Sequence, residues 1–254
     1  MANESTVLNV NAKGAIVLIG IKGAGKSTVG NMLLGAYTEN NVKEEFEIHD
    51  DDDTSKISHK AEIDIEIKNN KYKLIDAPGM PSLESWTNIK DLLKKFESIY
   101  GVHAYLLVYA GTRFTPANKH HINSVINDLG KDRLIIVFTK QSKDATEKRE
   151  IMEKNFNEDF KRILRSIDER WVVAPNLDIF GNSEDGKKVI EKNMEKLKDF
   201  IDKIKPQPKT CWSWWGWKYL FAVTGVTTVI IVVVVLFILN VRRNSSTNNS
   251  LPSS

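Results

Sequence analysis

The segment that most narrows what this 254-residue chain can fold into is Gly20-Ile21-Lys22-Gly23-Ala24-Gly25-Lys26-Ser27. It fits G-x-x-x-x-G-K-[ST] and lies where such a loop works, after the apolar run Ala15 to Ile19 and ahead of Ser27 to Leu34, which has helical spacing. That order reads strand, loop, helix. Glycines let backbone N–H groups close around the α- and β-phosphates, and the helix N-terminus adds its dipole. Lys26 is placed to reach the β- and γ-phosphates and to act in catalysis, and Ser27 to hold Mg²⁺. Gly20, Gly23, Ala24, Gly25, Lys26, Ser27 and Thr28 are therefore the expected lining of a nucleoside-triphosphate site.

The rest of the front region alternates strands with helices. Ile63, Ile65 and Ile67 alternate with charges, Asn69-Asn70 signals a turn, and Tyr72, Leu74 and Ile75 run on to Asp76, which makes a hairpin. Helix is expected from about Leu83 to Tyr100 and from Asn118 to Leu129. Ala104 to Tyr109 and Leu134 to Thr139 are β-rich runs. One long charged amphipathic segment, Glu147 to Ile167, precedes Trp171 to Phe180, and Glu184 to Ile204 closes the region. The fold class is α/β: a P-loop domain with a mostly parallel sheet, helices on both faces, and the Ile63 strand antiparallel at one edge.

Asp76-Ala77-Pro78-Gly79 ends a core strand as a D-x-x-G element does in switch GTPases, with Asp76 toward Mg²⁺ and the Gly79 N–H toward the γ-phosphate. Thr54, just ahead of the edge strand, is placed to give Mg²⁺ a hydroxyl, and Ser55 and Ser58 are close enough to serve instead. The adjoining Asp50 to Asp53 run reads as a solvated loop. His103, His120 and His121 read as structural, because no Cys or carboxylate spacing around them supports a zinc site.

Tyr219 to Leu239 carries no charge, and at about 1.5 Å per residue it is long enough to cross the roughly 30 Å hydrocarbon core. Trp212, Trp214, Trp215 and Trp217 precede it with Lys209 and Lys218, and Arg242 and Arg243 follow it, as interfacial aromatics and snorkelling cations do. The pattern predicts a transmembrane helix. With no charged-then-apolar leader and a short polar tail, the expected arrangement is a single-pass tail anchor with the front domain in the cytosol, on an endomembrane or the plasma membrane rather than the mitochondrial outer membrane. The expected divisions are an extension at 1–13, the nucleotide domain at 14–205, a linker and Trp-rich juxtamembrane segment at 206–218, the span at 219–239 and a tail at 240–254. One cysteine, Cys211, excludes an internal disulfide; beside the membrane it reads as an acylation site or as a free thiol. The sequons at Asn244 and Asn248 are chance matches in a Ser/Asn-rich tail. Thirty-six Lys and Arg against 33 Asp and Glu leave a net charge of +3, too even a balance for nucleic-acid binding.

The phosphate loop followed by Gly30-Asn31-Met32-Leu33-Leu34-Gly35, the Asp76 to Gly79 element, and GVHAYLLVYAGTRFT at 101–115 together resemble the GIMAP or AIG-type GTPases of the septin and chloroplast-import-receptor superfamily. The family's own box reads approximately G-x-H-A-x-L-L-V-x-x-x-G-R-F-T, and the likeness covers roughly Gly14 to Asn182. It implies a G domain that binds GTP and GDP with Mg²⁺, hydrolyses slowly, and forms nucleotide-dependent homodimers or oligomers. It also marks Arg113 as a candidate arginine finger across a dimer, against the plainer reading of a surface arginine, and Asn182 as a base contact or an ordinary loop asparagine.

Two departures stand out. Base selection in the superfamily uses [NT]-K-x-D, whose carboxylate pairs with guanine N1 and N2; here Thr139-Lys140-Gln141 is followed by Ser142, with Asp144 two places on. Thr139 and Lys140 remain expected nucleotide contacts, and either Asp144 replaces the lost carboxylate or base preference is loose. Met80 follows Gly79 where Ras-like enzymes place a water-positioning glutamine, so unaided turnover is expected to be slow. The first functional reading is a membrane-anchored GTP-binding switch that assembles when loaded and is reset by slow hydrolysis. The alternatives are a nucleotide-gated scaffold without turnover and a preprotein-import receptor.

Overall fold

Every residue of Ala15–Ile19 (β1) is fully buried, which is what a parallel strand flanked on both sides and covered on both faces requires. Its side chains alternate between two cores. Ala15, Val17 and Ile19 point to one, and Ile16 and Leu18 to the other. A computed structural model of the chain describes residues 12–36, 45–46, 62–111, 115–181 and 183–205. The chain divides at residue 206 into two units, and the second, from 207 onward, lies outside the described residues.

The first unit is built from β1, Lys26–Leu33 (α1), Glu62–Ile67 (β2), Asn70–Asp76 (β3), Trp86–Tyr100 (α2), Val102–Ala110 (β4), Pro116–Leu129 (α3), Leu134–Thr139 (β5), Lys143–Glu147 (α4), Arg149–Lys154 (α5), Glu158–Ser166 (α6), Trp171–Val173 (β6), Leu177–Phe180 (α7) and Glu184–Lys203 (α8). The sheet order is β2-β3-β1-β4-β5-β6, parallel throughout except for the β2–β3 hairpin at one edge. This is the expected α/β P-loop architecture. One face is covered by α2, α3 and α6 through residues such as Leu93, Ile122 and Phe160. The other is covered by α1 and α8 through Val29, Met32, Ile190, Met194 and Leu197.

Three local differences from the sequence reading have clear causes. The hairpin turns at Lys68-Asn69 rather than Asn69-Asn70: both residues have positive φ, 47° and 64°, the geometry of a tight two-residue turn, and Asn70 opens β3. Leu83–Ser85 is a single 3₁₀ turn, so the α-helix begins at Trp86. The long amphipathic segment expected over 147–167 holds two short helices, α5 and α6, just after the end of α4. Lys148 is extended between α4 and α5, and the Asn157 side chain accepts the Phe160 amide at 2.9 Å to cap α6. The break lets Phe156 and Phe160 pack on Phe138 and Trp171, with ring centroids between 4.8 and 5.9 Å apart. Among the described residues no helix is long and apolar enough to cross a membrane, and the expected span at 219–239 lies outside them.

Candidate functional site

The chain leaves the carboxyl end of β1 into the glycine loop and enters α1 at Gly25, whose φ of 88° lies in the left-handed region open to glycine. No side chain caps α1 there. The first amides of a helix have no intrahelical acceptor, so this uncapped turn carries N–H groups and a positive dipole end suited to phosphate.

The D-x-x-G element lies against that loop because the β1–β3 pairing continues past the strand ends. Ala77 N donates to Leu18 O at 3.2 Å, Met80 N to Gly20 O at 3.1 Å, and Lys22 N to Met80 O at 2.7 Å. Gly79 is consequently so close that an added Cβ would stand 2.9 Å from Lys22 Cα and 3.0 Å from Lys26 Nζ. Only glycine fits.

Behind this contact the Ser27 hydroxyl donates to Asp76 Oδ2 at 2.6 Å, and Asp76 Oδ1 is buried with no partner. Lys26 is only 8% exposed. Burial pulls its ammonium below the usual lysine range, with the Asp76 charge opposing, and burial pushes the Asp76 carboxyl up, with the Ser27 hydrogen bond and Lys26 opposing. A hydroxyl and a buried carboxylate with a spare oxygen fit Mg²⁺, a hard cation that takes few protein ligands beside substrate phosphates and water. Among the described residues no group of three or more His, Cys, Asp or Glu could hold a metal by itself. The chemistry available here is the binding of a phosphate chain and the neutralising of charge along it.

The segment leaving β5 meets the same loop from the far side. Thr139 Oγ1 donates to Ala24 O at 2.6 Å, and its Cγ2 lies 3.6 Å from where a Cβ on Gly25 would be. Lys140 is exposed with a φ of 57°. Gln141 is turned inward, its Nε2 donating to Gly111 O at 2.9 Å and to Thr139 O at 2.8 Å. Ser142 caps α4, its Oγ accepting the Ala145 amide at 3.3 Å, and Asp144 is exposed on the first turn of that helix.

The structure thus brings together Gly20, Gly23, Ala24, Gly25, Lys26, Ser27, Thr28, Asp76, Gly79 and Thr139, with Lys140 beside them. Thr54, Arg113 and Asn182 lie outside the described residues. His103 and His121 are buried, as the structural reading has it: His103 Nε2 is 2.9 Å from Ile201 O at the end of α8, and the His121 ring meets Trp86 edge-on. The sequence reading missed Asn31 of α1, whose amide clamps the main chain of Phe46, Nδ2 donating to Phe46 O and Oδ1 accepting from Phe46 N, both at 2.9 Å. Gly30 makes room for that ring, since an added Cβ would be 2.8 Å from Phe46 Cδ2. The only signal was an asparagine at a buried helical position, which needs partners.

A family model described as the AIG1 family matches residues 14–210. No curated protein matches the chain. Among solved structures, the chain is similar to the FeoB G-domain from Methanococcus jannaschii, at 17% identity and a TM-score of 0.40, over 72% of this chain and 97% of that one. It is also similar to a GTP-binding protein from the hyperthermophilic archaeon Sulfolobus solfataricus in complex with GDP, at 13% identity and a TM-score of 0.42, over 76% of this chain and 54% of that one.

Proposed function

The chain belongs to the AIG1 family, and from that premise we propose that it is a GTP-binding switch, anchored in a membrane by residues 219–239 and facing the cytosol, that pairs or assembles through its nucleotide domain and is reset by slow hydrolysis. The observation that carries this reading is the cluster at the loop: Ser27 bonded to Asp76, Lys26 buried beside them, and Gly79 packed on the loop. The amides of the glycine loop and Lys26 would hold the phosphates, and Ser27 and Asp76 would hold Mg²⁺, which would supply charge neutralisation along the phosphate chain. Gly79, against Lys22 and Lys26, is placed to feel whether a γ-phosphate is present.

Hydrolysis is slow in this reading because the side chain next after Gly79, Met80, cannot orient water. Met80 is 2% exposed, is packed in the core and carries only a thioether. A second subunit then completes the site, with Arg113 as the candidate cation reaching across. The strongly apolar character of the span favours the endomembrane system or the plasma membrane. Met80 equally favours a second reading, a nucleotide-gated scaffold without turnover.

Phosphate release from the full-length chain in detergent, measured against protein concentration, separates the two readings. Turnover per subunit that rises with concentration and falls in Arg113→Ala supports the switch; absence of turnover at every concentration leaves the scaffold. Flotation with lipid vesicles, lost when 219–239 is deleted, tests the anchor.

A further inference from the structure

We propose that Asp128 of α3 is a positioning residue for the γ-phosphate sensor: by holding the Trp86 indole it keeps Gly79 on the phosphate loop, and so sustains a preference for GTP over GDP. The inference rests on the proposed reading of Gly79 as that sensor. Asp128 stands on the last turn of α3, about 18 Å along the helix from Pro116 at 1.5 Å per residue, so its effect on a nucleotide travels through the protein.

The segment that follows Gly79 is fixed at its two ends and loose between them. At the front, Met80 is 2% exposed, bridges Ile21 and exchanges main-chain bonds with Gly20 and Lys22. At the back, Trp86 is 5% exposed. The turn Leu83–Ser85 between them buries no residue, and its own bonds are slight: Ser85 N donates to Ser82 O at 3.2 Å, and the two serine hydroxyls are 3.2 Å apart. Close packing is also missing on one side, where a crevice of about 310 Å³ is lined by Ile21, Leu83, Leu107, Tyr109, Asn118 and His121.

What fixes the back end is α3. An indole N–H can only donate, and a buried one needs an acceptor. Trp86 Nε1 donates to Asp128 Oδ2 at 2.6 Å, while Asp128 Oδ1 takes Lys90 Nζ at 2.8 Å. One carboxylate thereby ties the first two turns of α2 to the last turn of α3. His121 of the same helix meets the Trp86 ring edge-on, with centroids 5.8 Å apart, and bonds the Leu83 main chain.

A γ-phosphate gains in full from the Gly79 amide only when that amide is already in place; otherwise the cost of ordering the segment offsets part of the gain. A diphosphate ends short of Gly79 and is indifferent to it. Freeing Trp86 from Asp128 therefore weakens the triphosphate and spares the diphosphate.

The test is calorimetric titration of the full-length chain in detergent with Mg²⁺ and either GDP or the β,γ-imido analogue of GTP, which resists hydrolysis. The chains compared are the wild type, Trp86→Phe, Asp128→Ala, the double variant, and Val125→Ala, which opens a cavity elsewhere on α3 and controls for lost stability. The analogue is expected to bind the wild type more tightly than GDP does. Each single variant of the Trp86–Asp128 bond should weaken the analogue about tenfold and GDP less than about twofold, the scale of one hydrogen bond to a charged group. The double variant should be no worse than either single one, because both remove the same bond. Val125→Ala should leave the ratio of the two nucleotides unchanged. Equal weakening of analogue and GDP, additive losses in the double variant, a shifted ratio in Val125→Ala, or no loss at all overturns the inference and leaves the cradle standing. If circular dichroism shows Asp128→Ala unfolded, Asp128→Asn, which keeps an acceptor without the charge, takes its place with the same outcomes. A wild type that binds both nucleotides equally refutes Gly79 as the sensor, and one that binds neither sinks the cradle reading; the inference falls with each.

Discussion

The two ends of the nucleotide site are built on opposite plans. At the phosphate end a buried ammonium, a buried carboxylate and a hydroxyl are held within bonding reach by two segments zipped to each other, and the spare Asp76 oxygen still lacks a partner. At the end that leaves β5, several polar groups are turned to the protein: Thr139 on Ala24, the Gln141 amide nitrogen on Gly111, and Ser142 on its own helix, while Lys140 stays exposed. The contrast teaches that, among the described residues, unfilled bonding capacity lies where charge is desolvated, while beyond β5 the fold has turned several of its donors and acceptors to itself.

Removing Lys26 strikes the charged end hardest. Lys26→Ala is expected to weaken GTP by about 100-fold, the scale of one or two charge-assisted hydrogen bonds, with calorimetry as the readout; an unchanged affinity would break the contrast between the two ends. Gly79→Ala forces the zipped segments apart and should destabilise the fold by about 1–3 kcal/mol in urea unfolding, because the clash is with Lys22 main chain as well as with the Lys26 ammonium. Thr139→Ala strands the Ala24 carbonyl and should lower stability by about 1 kcal/mol, with GTP binding weakened as the loop loosens. Ser142→Ala removes only a cap, for about 0.5–1 kcal/mol in the same assay, and should leave GTP binding unaltered.

The smallest expected effect is of pH and lies away from the site. Burial holds the His103 imidazole below its ordinary range, aided by Lys13 and Arg133 and opposed by Asp202 and the bond to Ile201. His121 is depressed likewise, with His120 lowering it and Leu83 and Glu84 opposing. The unfolded chain therefore takes up protons near pH 6.5 while the folded one does not, and stability should fall as pH drops below about 6.5. Urea midpoints at pH 7.5 and 5.5 check the sign; a higher midpoint at the acid end refutes it.

The phosphate end was legible in the sequence because its chemistry is local. A glycine loop after an apolar run and Asp76 at a strand end announce their roles by type and spacing, and the strands follow from alternation and β-branched runs. The end beyond β5 was legible only as a departure, since Ser142 says what is missing and nothing in the spacing says where Gln141 turns. The 147–167 stretch misled because helical periodicity survives a break that keeps its apolar residues on one face, and the interruption is set by an asparagine cap and the demand of Phe138 for aromatic neighbours. The Asn31 clamp on Phe46 is a tertiary contact with no periodic trace.

The continuation of the β1–β3 pairing into Ile21 and Met80 also bears on how the molecule comes into being. The glycine loop is short in sequence, yet what holds it arrives from far along the chain: Ser27 and Asp76 are 49 residues apart, and Ala24 and Thr139 are 115 apart. Contacts of such separation form slowly, because the intervening chain must be closed before they repay the lost entropy. A ribosome must therefore have released β5 before the cradle can close, and nucleotide capture becomes a late event in the life of each newly made chain, a report that the strands from β1 to β5 are in place.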